Sequence, residues 1–494
     1  MHFKRHVLWT AFAATLALSA CGGSDDDSGD TPAPTPAPPA ASSDRIEPLD
    51  TATLRQAAAD KAQPEAASRL PAGAVPAQVA LGPLPVVKAA TPESKGAPMQ
   101  VGEGRAVPAT ADAAQLASLL RWSALADGTQ VAAVRFAAEG ANGLRLGVRA
   151  DRVPEGAVLR FYGDRASPVV EMGAAELAAL RQANEQAGVA SEQARMVWSP
   201  SIDGAQATLE VQLPAGVTPD ALALAVPELS HLLLTAQQAM DAPPKNTNHI
   251  GRAGSCNLDV TCNSNLDTES RAVAKMMYTR SGSTYLCTGT LLNDAKNSQT
   301  PYFLTAAHCV SEQAVASTLE TYWFFRAASC NSTPQFDSRA TRMTGGATLL
   351  FANSTVDTAL LRLNAQPPAN VVYAGSYFGP GAVANTAVLG VHHPAGDLQK
   401  YSLGGIAGFV SCSSSGNCTE SERSSSDMFV ISWSNGTTEG GSSGSALFAQ
   451  SGNTRYVIGA LNGGSASCSN PNGIDLYGRF ERAYAMGIQR WLNP

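Results

Sequence analysis

Short runs of alternating apolar and polar residues recur along this chain. Leu144, Leu146 and Val148 are separated by Arg145, Gly147 and Arg149, a period of two that predicts a strand. Ala157-Val158-Leu159-Arg160-Phe161-Tyr162 follows the turn-forming Pro154-Glu155-Gly156, and Thr208 to Leu213 alternates until Pro214 stops it. Between these runs, Ala174 to Ala187 has helical composition and no Gly or Pro. Residues 116–235 therefore predict a small β-rich unit with one helix and no cluster of catalytic residue types. Beyond residue 251, short apolar runs such as Tyr302-Phe303-Leu304, Ala359 to Leu363 and Tyr456-Val457-Ile458 are separated by Gly, Ser and Asn clusters. That spacing predicts an all-β barrel or sandwich. No repeat recurs at 20–50 residue spacing.

The N-terminus has a different pattern. Lys4 and Arg5 precede a mainly apolar stretch from Val7 to Ala20, which reads as an export signal and is too short to span a bilayer comfortably. Residues 22–45 form a low-complexity tether: Gly22 to Asp27 is hydrated and flexible in composition, and Thr31-Pro32-Ala33-Pro34-Thr35-Pro36 is stiff and extended. Residues 46–115 are rich in Ala and Pro and are expected to be irregular in places. A polar connector, Asp241 to Arg252, carries Pro243, Pro244 and Lys245 and is expected to be exposed to proteolysis. The expected boundaries are thus 1–21, 22–45, a pro-region at 46–250, and 251–494.

At 494 residues the chain exceeds one ordinary core. A net charge of -7 gives no electrostatic reason to expect nucleic acid. Of nine cysteines, Cys21 ends the export signal and the other eight lie between Cys256 and Cys468. An even set confined to one region points to four disulfides in an oxidising compartment. A zinc site is the weaker reading, because 256/262 and 412/418 are spaced more widely than the usual zinc-knuckle pair.

Three segments carry chemistry. Phe303-Leu304-Thr305-Ala306-Ala307-His308-Cys309 ends an apolar strand in small residues and then an imidazole, the placement a fixed general base needs. In Val356-Asp357-Thr358-Ala359-Leu360-Leu361 a carboxylate heads an apolar strand and is suited to hold an imidazole in one tautomer. Glu439-Gly440-Gly441-Ser442-Ser443-Gly444-Ser445 surrounds Ser443 with small residues. The loop leaves the N–H groups of Gly441 and Ser443 available to an oxyanion, where one donor is worth about 3 kcal/mol. No histidine follows Ser443, which excludes the Ser…Asp…His order of α/β-hydrolases. His392-His393-Pro394 offers a second base or, on the structural reading, a turn or core pair.

Thr305 to Cys309, Asp357 to Leu361 and Gly441 to Ser445 resemble the three triad blocks of trypsin-like proteases. Gly254-Ser255-Cys256-Asn257-Leu258-Asp259-Val260, Val391 to Pro394, Leu461-Asn462-Gly463-Gly464 and Asp475-Leu476-Tyr477-Gly478-Arg479 resemble the bacterial lysyl endopeptidases more narrowly, over about 251–494. The resemblance implies a chymotrypsin-like double six-stranded β-barrel behind a propeptide. It implies a triad of His308, Asp357 and Ser443, an oxyanion hole at Gly441 and Ser443, and hydrolysis through an acyl-enzyme without metal or organic cofactor. It also implies disulfides Cys256–Cys468, Cys262–Cys330 and Cys287–Cys309, leaving Cys412 and Cys418 to close a loop of their own. Asp475 would receive a cationic P1 side chain, and Asn462, Gly463 and Gly464 would line the substrate. Asn462 stands where that family often has His, and Cys412 and Cys418 stand in a loop where it has an aromatic residue. Lys and Arg are therefore both expected at P1, with a turn-forming role as the other reading of Asp475. Ser442 stands where trypsin-like zymogens carry their activating Asp, so activation is expected to proceed by removal of the pro-region, with Lys245 and Arg252 as cleavage points. Leu18-Ser19-Ala20-Cys21 resembles a lipobox, which implies acylation of Cys21, a membrane anchor and an exported, cell-envelope location. Ordinary signal cleavage is the other reading. A catalytically silent surface lipoprotein, binding through a protease-like fold, is the competing function class.

Overall fold

Sheet formation dominates wherever apolar residues alternate, and the strands fall into two sets with separate cores. The computed structural model describes residues 44–54, 66–84, 98–163, 169–233, 253–332, 335–413 and 417–494. The export signal, Cys21, the tether up to residue 43 and the connector with Lys245 and Arg252 lie outside the described residues.

In the pro-region, the strands Gln130–Ala138, Gln206–Leu213 and Val158–Tyr162 pair side by side, and Gly143–Arg152 pairs with Ala223–Leu232. The layers enclose one apolar core containing Phe136, Leu146, Leu159, Leu209 and Val226. The expected helix is present at Ala174–Gln186. A second helix, Ala113–Leu119, corrects the expectation of one; Asp112 and Gln115 cap its start reciprocally. The ordered unit also begins before residue 116. Ala77–Leu81 and Met99–Ala106 are strands, and the second contains Gly102 and Gly104, which weaken its periodic signal.

In the C-terminal half, six strands close into a barrel: Ala387–His392, Lys400–Cys412, Met428–Asn435, Ile474–Arg479, Thr454–Gly464 and Ala446–Ser451. Six more run in the order Glu320–Trp323, Val273–Arg280, Ser283–Leu292, Tyr302–Thr305, Thr358–Leu363 and Ala347–Asn353. Among the described residues no pairing closes this second set, so one of the two expected barrels is closed and the other is an open curved sheet. Disulfides join Cys256–Cys468, Cys262–Cys330 and Cys287–Cys309, the three pairs the resemblance implied, and the two remaining cysteines pair as Cys412–Cys418.

The two halves are not separate beads. Met99–Ala106 pairs with Ala223–Leu232 on one side and with Ser283–Leu292 on the other, so a single sheet crosses from pro-region to catalytic half. Beside this seam Arg145 is fully buried; it donates to the Thr318 carbonyl at 2.7 Å and pairs with Glu320 at 3.3 Å. Residues 44–54, expected to be tether and irregular chain, instead lie against the C-terminal half as two short strands followed by a 3-10 turn at Thr51–Thr53. Arg45–Ile46 pairs with Ser376–Tyr377 and Leu49–Asp50 with Val372–Tyr373.

Candidate active site

Strand pairing brings His308 and Asp357 together. Tyr302–Thr305 runs antiparallel to Thr358–Leu363, with Thr305 opposite Ala359. His308 follows the end of the first strand and Asp357 precedes the start of the second, so both project from one end of the sheet. Asp357 Oδ2 accepts from His308 Nδ1 at 2.6 Å, and Oδ1 accepts from the His308 backbone N–H at 2.8 Å. That contact puts the ring proton on Nδ1 and leaves Nε2 as the basic nitrogen. Asp357 adopts φ of 40°, a conformation uncommon for a non-glycine residue and held here by the groups around it.

Asn462 has a place that the sequence reading missed. Its Nδ2 donates to Asp357 Oδ2 at 2.7 Å, so it braces the acid as well as facing the cleft where it was expected to meet substrate. The cleft, about 690 Å³, is lined by His308, Asp357, Asn462, Gly463, Gly464 and the Cys412–Cys418 disulfide.

Ser443 sits in a loop fastened on three sides. Its carbonyl accepts from the Thr288 N–H at 2.8 Å, the Gly444 N–H donates to the Leu461 carbonyl at 2.8 Å, and Thr288 Oγ1 donates to the Gly441 carbonyl at 2.9 Å. Gly441 has φ of 91°, which turns the loop so that neither its N–H nor that of Ser443 donates to any acceptor among the described residues. No Ser443–His308 hydrogen bond is present among the described residues; such contacts commonly tighten only when substrate seats. Ser442 bonds to His392 Nδ1 at 2.9 Å, and His392 Nε2 bonds to Ser402 at 3.0 Å. His393 Nδ1 donates to the Asp397 carbonyl at 3.0 Å. Burial pushes both imidazoles down to about 3, so the pair is a neutral core element rather than a second base.

Asp475 is buried on Ile474–Arg479. Its Oδ2 accepts from Trp433 Nε1 and Thr438 Oγ1, each at 2.6 Å, while Oδ1 has no hydrogen-bond partner. Burial raises its pKa, opposed by the Thr438 hydroxyl, the Trp433 indole and the Ala466 N–H. A Cβ at Gly464 would lie 2.3 Å from Oδ1, so only glycine fits against that buried oxygen. Trp433 and Thr438 escaped the sequence reading, since only barrel closure sets them against Asp475.

The start of the described catalytic half also reaches the Ser443 loop. The Ala253 N–H donates to Asp397 Oδ2 at 2.8 Å, and the Gly254 N–H donates to Glu439 at 2.9 Å. From the same turn as Asp397, the Ala395 N–H donates to the Gly440 carbonyl at 2.6 Å.

Comparison with known proteins agrees with this geometry. Residues 250–478 match the model of the lysyl endopeptidase C-terminal domain, and residues 72–233 match that of the lysyl endopeptidase N-terminal domain. A lysyl endopeptidase of Pseudomonas aeruginosa is 33% identical over 416 residues, covering 81% of this chain and 82% of that protein. Among solved structures, the active form of the Rv3671c protease of M. tuberculosis aligns with a TM-score of 0.32 at 15% identity, covering 51% of this chain and 94% of that one. The MamO protease domain of Magnetospirillum magneticum aligns at 0.30 and 10%, covering 44% and 97%. With both of its halves matched in order and a relative aligned across most of its length, the chain belongs to the lysyl endopeptidase family and is a trypsin-like serine endopeptidase.

Proposed function

We infer that this protein is an exported, lipid-anchored endopeptidase that cleaves after Lys or Arg and is made with a removable pro-region. Ser443 Oγ attacks the scissile carbonyl while His308 Nε2 takes its proton. Asp357 holds the resulting imidazolium, and the N–H groups of Gly441 and Ser443 receive the oxyanion. His308 then returns the proton to the leaving amine, and water releases the acyl group by the same route.

One observation carries the specificity: a buried carboxylate, Asp475, keeps one oxygen without a hydrogen-bond partner behind Gly464, which lines the cleft. A cationic P1 side chain supplies the missing partner, and an uncharged one leaves the carboxylate buried and unpaired. Nothing in that arrangement separates ammonium from guanidinium, so both are taken as substrates.

Cleavage after Arg252 would turn the Ala253 N–H, already 2.8 Å from Asp397 Oδ2, into an ammonium facing a half-buried carboxylate. That supports Arg252 as a processing point. It also offers a route for activation that does not need the Asp missing at Ser442. The lipid anchor rests on the Cys21 context.

Purified 22–494 and its Ser443→Ala and Asp475→Ala variants, digesting a mixed peptide pool read by mass spectrometry, test the reading. Cuts after Lys and Arg should vanish in Ser443→Ala and lose their basic preference, by roughly 100-fold or more, in Asp475→Ala. Cuts with no basic preference in the native chain would sink the specificity. No cuts even after removal of residues before 251 would favour the binding lipoprotein.

A further inference from the structure

In sequence, residues 44–54 join the proposed anchor to the pro-region; in space they belong to the catalytic half. Arg45–Ile46 adds to the edge of Ser376–Tyr377, which itself pairs with the barrel strand Thr454–Gly464. Ile46 is buried in the catalytic core with Ala374 and Val457. The Arg45 guanidinium lies 5.5 Å from the rings of both Tyr377 and Tyr456 and donates to Ser451 at 3.0 Å. Glu47 accepts from Tyr456 Oη at 2.7 Å through its carboxylate and from Asn293 at 2.9 Å through its carbonyl. Further along, Asp50 forms a two-pronged ion pair with Arg271, and Thr51 bonds twice to the Val371 carbonyl. The catalytic half is shaped for this strap: a Cβ at Gly375 would lie 2.6 Å from the Ile46 carbonyl. Among the described residues, the core of the N-terminal half, by contrast, contains none before Val79.

We propose that residues 44–54 are a strand-addition anchor that keeps the catalytic half attached to the N-terminal tether after the pro-region is cut out. The inference rests on the lipid-anchor and pro-region readings above and goes further: with the chain hydrolysed once after Lys245 or Arg252 and once more after Arg55 or Lys61, the mature enzyme is a two-chain particle. A short N-terminal chain remains seated on the catalytic polypeptide with no peptide bond between them. Main-chain pairing, a filled apolar socket and a guanidinium–carboxylate clamp are the usual elements of strand augmentation. Removing the pro-region therefore leaves the protease at the surface that holds the tether.

The test separates this from the readings beneath it. Recognition sequences for a site-specific protease are placed within 55–65 and within 240–250 of the full-length chain, so that cutting does not depend on its own activity. Membranes carrying the cut chain are sedimented, and both fractions are probed for the 251–494 polypeptide. It should remain in the pellet, and Ile46→Asp should shift it to the supernatant by tenfold or more. A double variant, Arg45→Ala with Asp50→Ala, keeps the socket filled and should release an intermediate fraction; it serves if Ile46→Asp does not fold. Release of the native catalytic polypeptide on cutting, or equal retention in both variants, overturns the proposal. If the uncut chain is itself in the supernatant, the lipid anchor is wrong and the strap is read in solution instead. Residues 44–54 eluting with 251–494 then support it, and their separation overturns it.

Discussion

At the scale of single residues, Asn462 decides between two kinds of role. Its Nδ2 sits 2.7 Å from Asp357 Oδ2, the oxygen that also holds the His308 ring. A hydrogen bond to a charged group is worth about 1.5–3 kcal/mol. Asn462→Ala should therefore lower kcat roughly 10- to 100-fold and leave KM within about twofold, because the group lost positions the acid and not the substrate. A raised KM with kcat unchanged would return Asn462 to the substrate-lining role alone. The proposed triad could be read in sequence because each member carries a local context: a strand end before His308, an apolar run after Asp357, small residues around Ser443. Asn462, Trp433 and Thr438 carry no such context. What matters in each is a side chain aimed across the barrel, and that aim is set by closure of strands distant in sequence.

At the scale of elements, the turn Pro394–Gly396 links the catalytic loop to an unusual cation. Lys275, on Val273–Arg280, is fully buried, with Nζ 3.7 Å from the Phe325 ring centre, 4.6 Å from that of Tyr322 and 3.3 Å from the Gly396 carbonyl. Burial lowers its pKa to about 7, opposed by Asp397, Glu320 and Asp203. A folded value below the unfolded one means that the unfolded chain binds more protons between the two. Stability relative to Lys275→Met should thus rise with pH from about 7 to about 10.5 and be poorest below 7. Denaturant midpoints at pH 6 and pH 9 check the sign: the Met variant should gain at pH 6, by an amount on the order of a few kcal/mol, and much of that gain should be gone at pH 9. A gap that is the same at both values would show that Lys275 does not titrate there. The elements missed from sequence share a cause. Arg45–Ile46 and Leu49–Asp50 are two residues long and cannot show a period, whereas Ala113–Leu119 announced itself only through the Asp112–Gln115 cap.

At the scale of the molecule, one sheet runs from the N-terminal half into the C-terminal half, and under the proposed processing it would couple removal of the first half to access. Met99 and Gln100 lie opposite Leu286 and Tyr285, immediately before Cys287, whose disulfide partner Cys309 adjoins His308. A Cβ on Gly440 would stand 3.9 Å from Met99 Cβ, so the pro-strand passes beside the proposed oxyanion loop. The departing half of a substrate needs an edge next to Ser443 on which to add, and this strand already occupies one. The precursor is therefore expected to be latent even with its triad assembled. Gly104 is the point at which to test this, because a Cβ there would lie 2.9 Å from the Gly282 backbone of the catalytic hairpin. Gly104→Val should force the pro-strand off that edge, whereas a change on the outer face of the pro-region should not. The measurement is hydrolysis of a basic P1 peptide by precursor with Lys245→Ala and Arg252→Ala, which removes the proposed processing points. Adding Gly104→Val should raise the rate at least tenfold while the chain stays intact by mass. An intact precursor as active as the processed enzyme without Gly104→Val would show that the shared sheet leaves the substrate edge open, and the pro-region would then be a folding aid and not a lock.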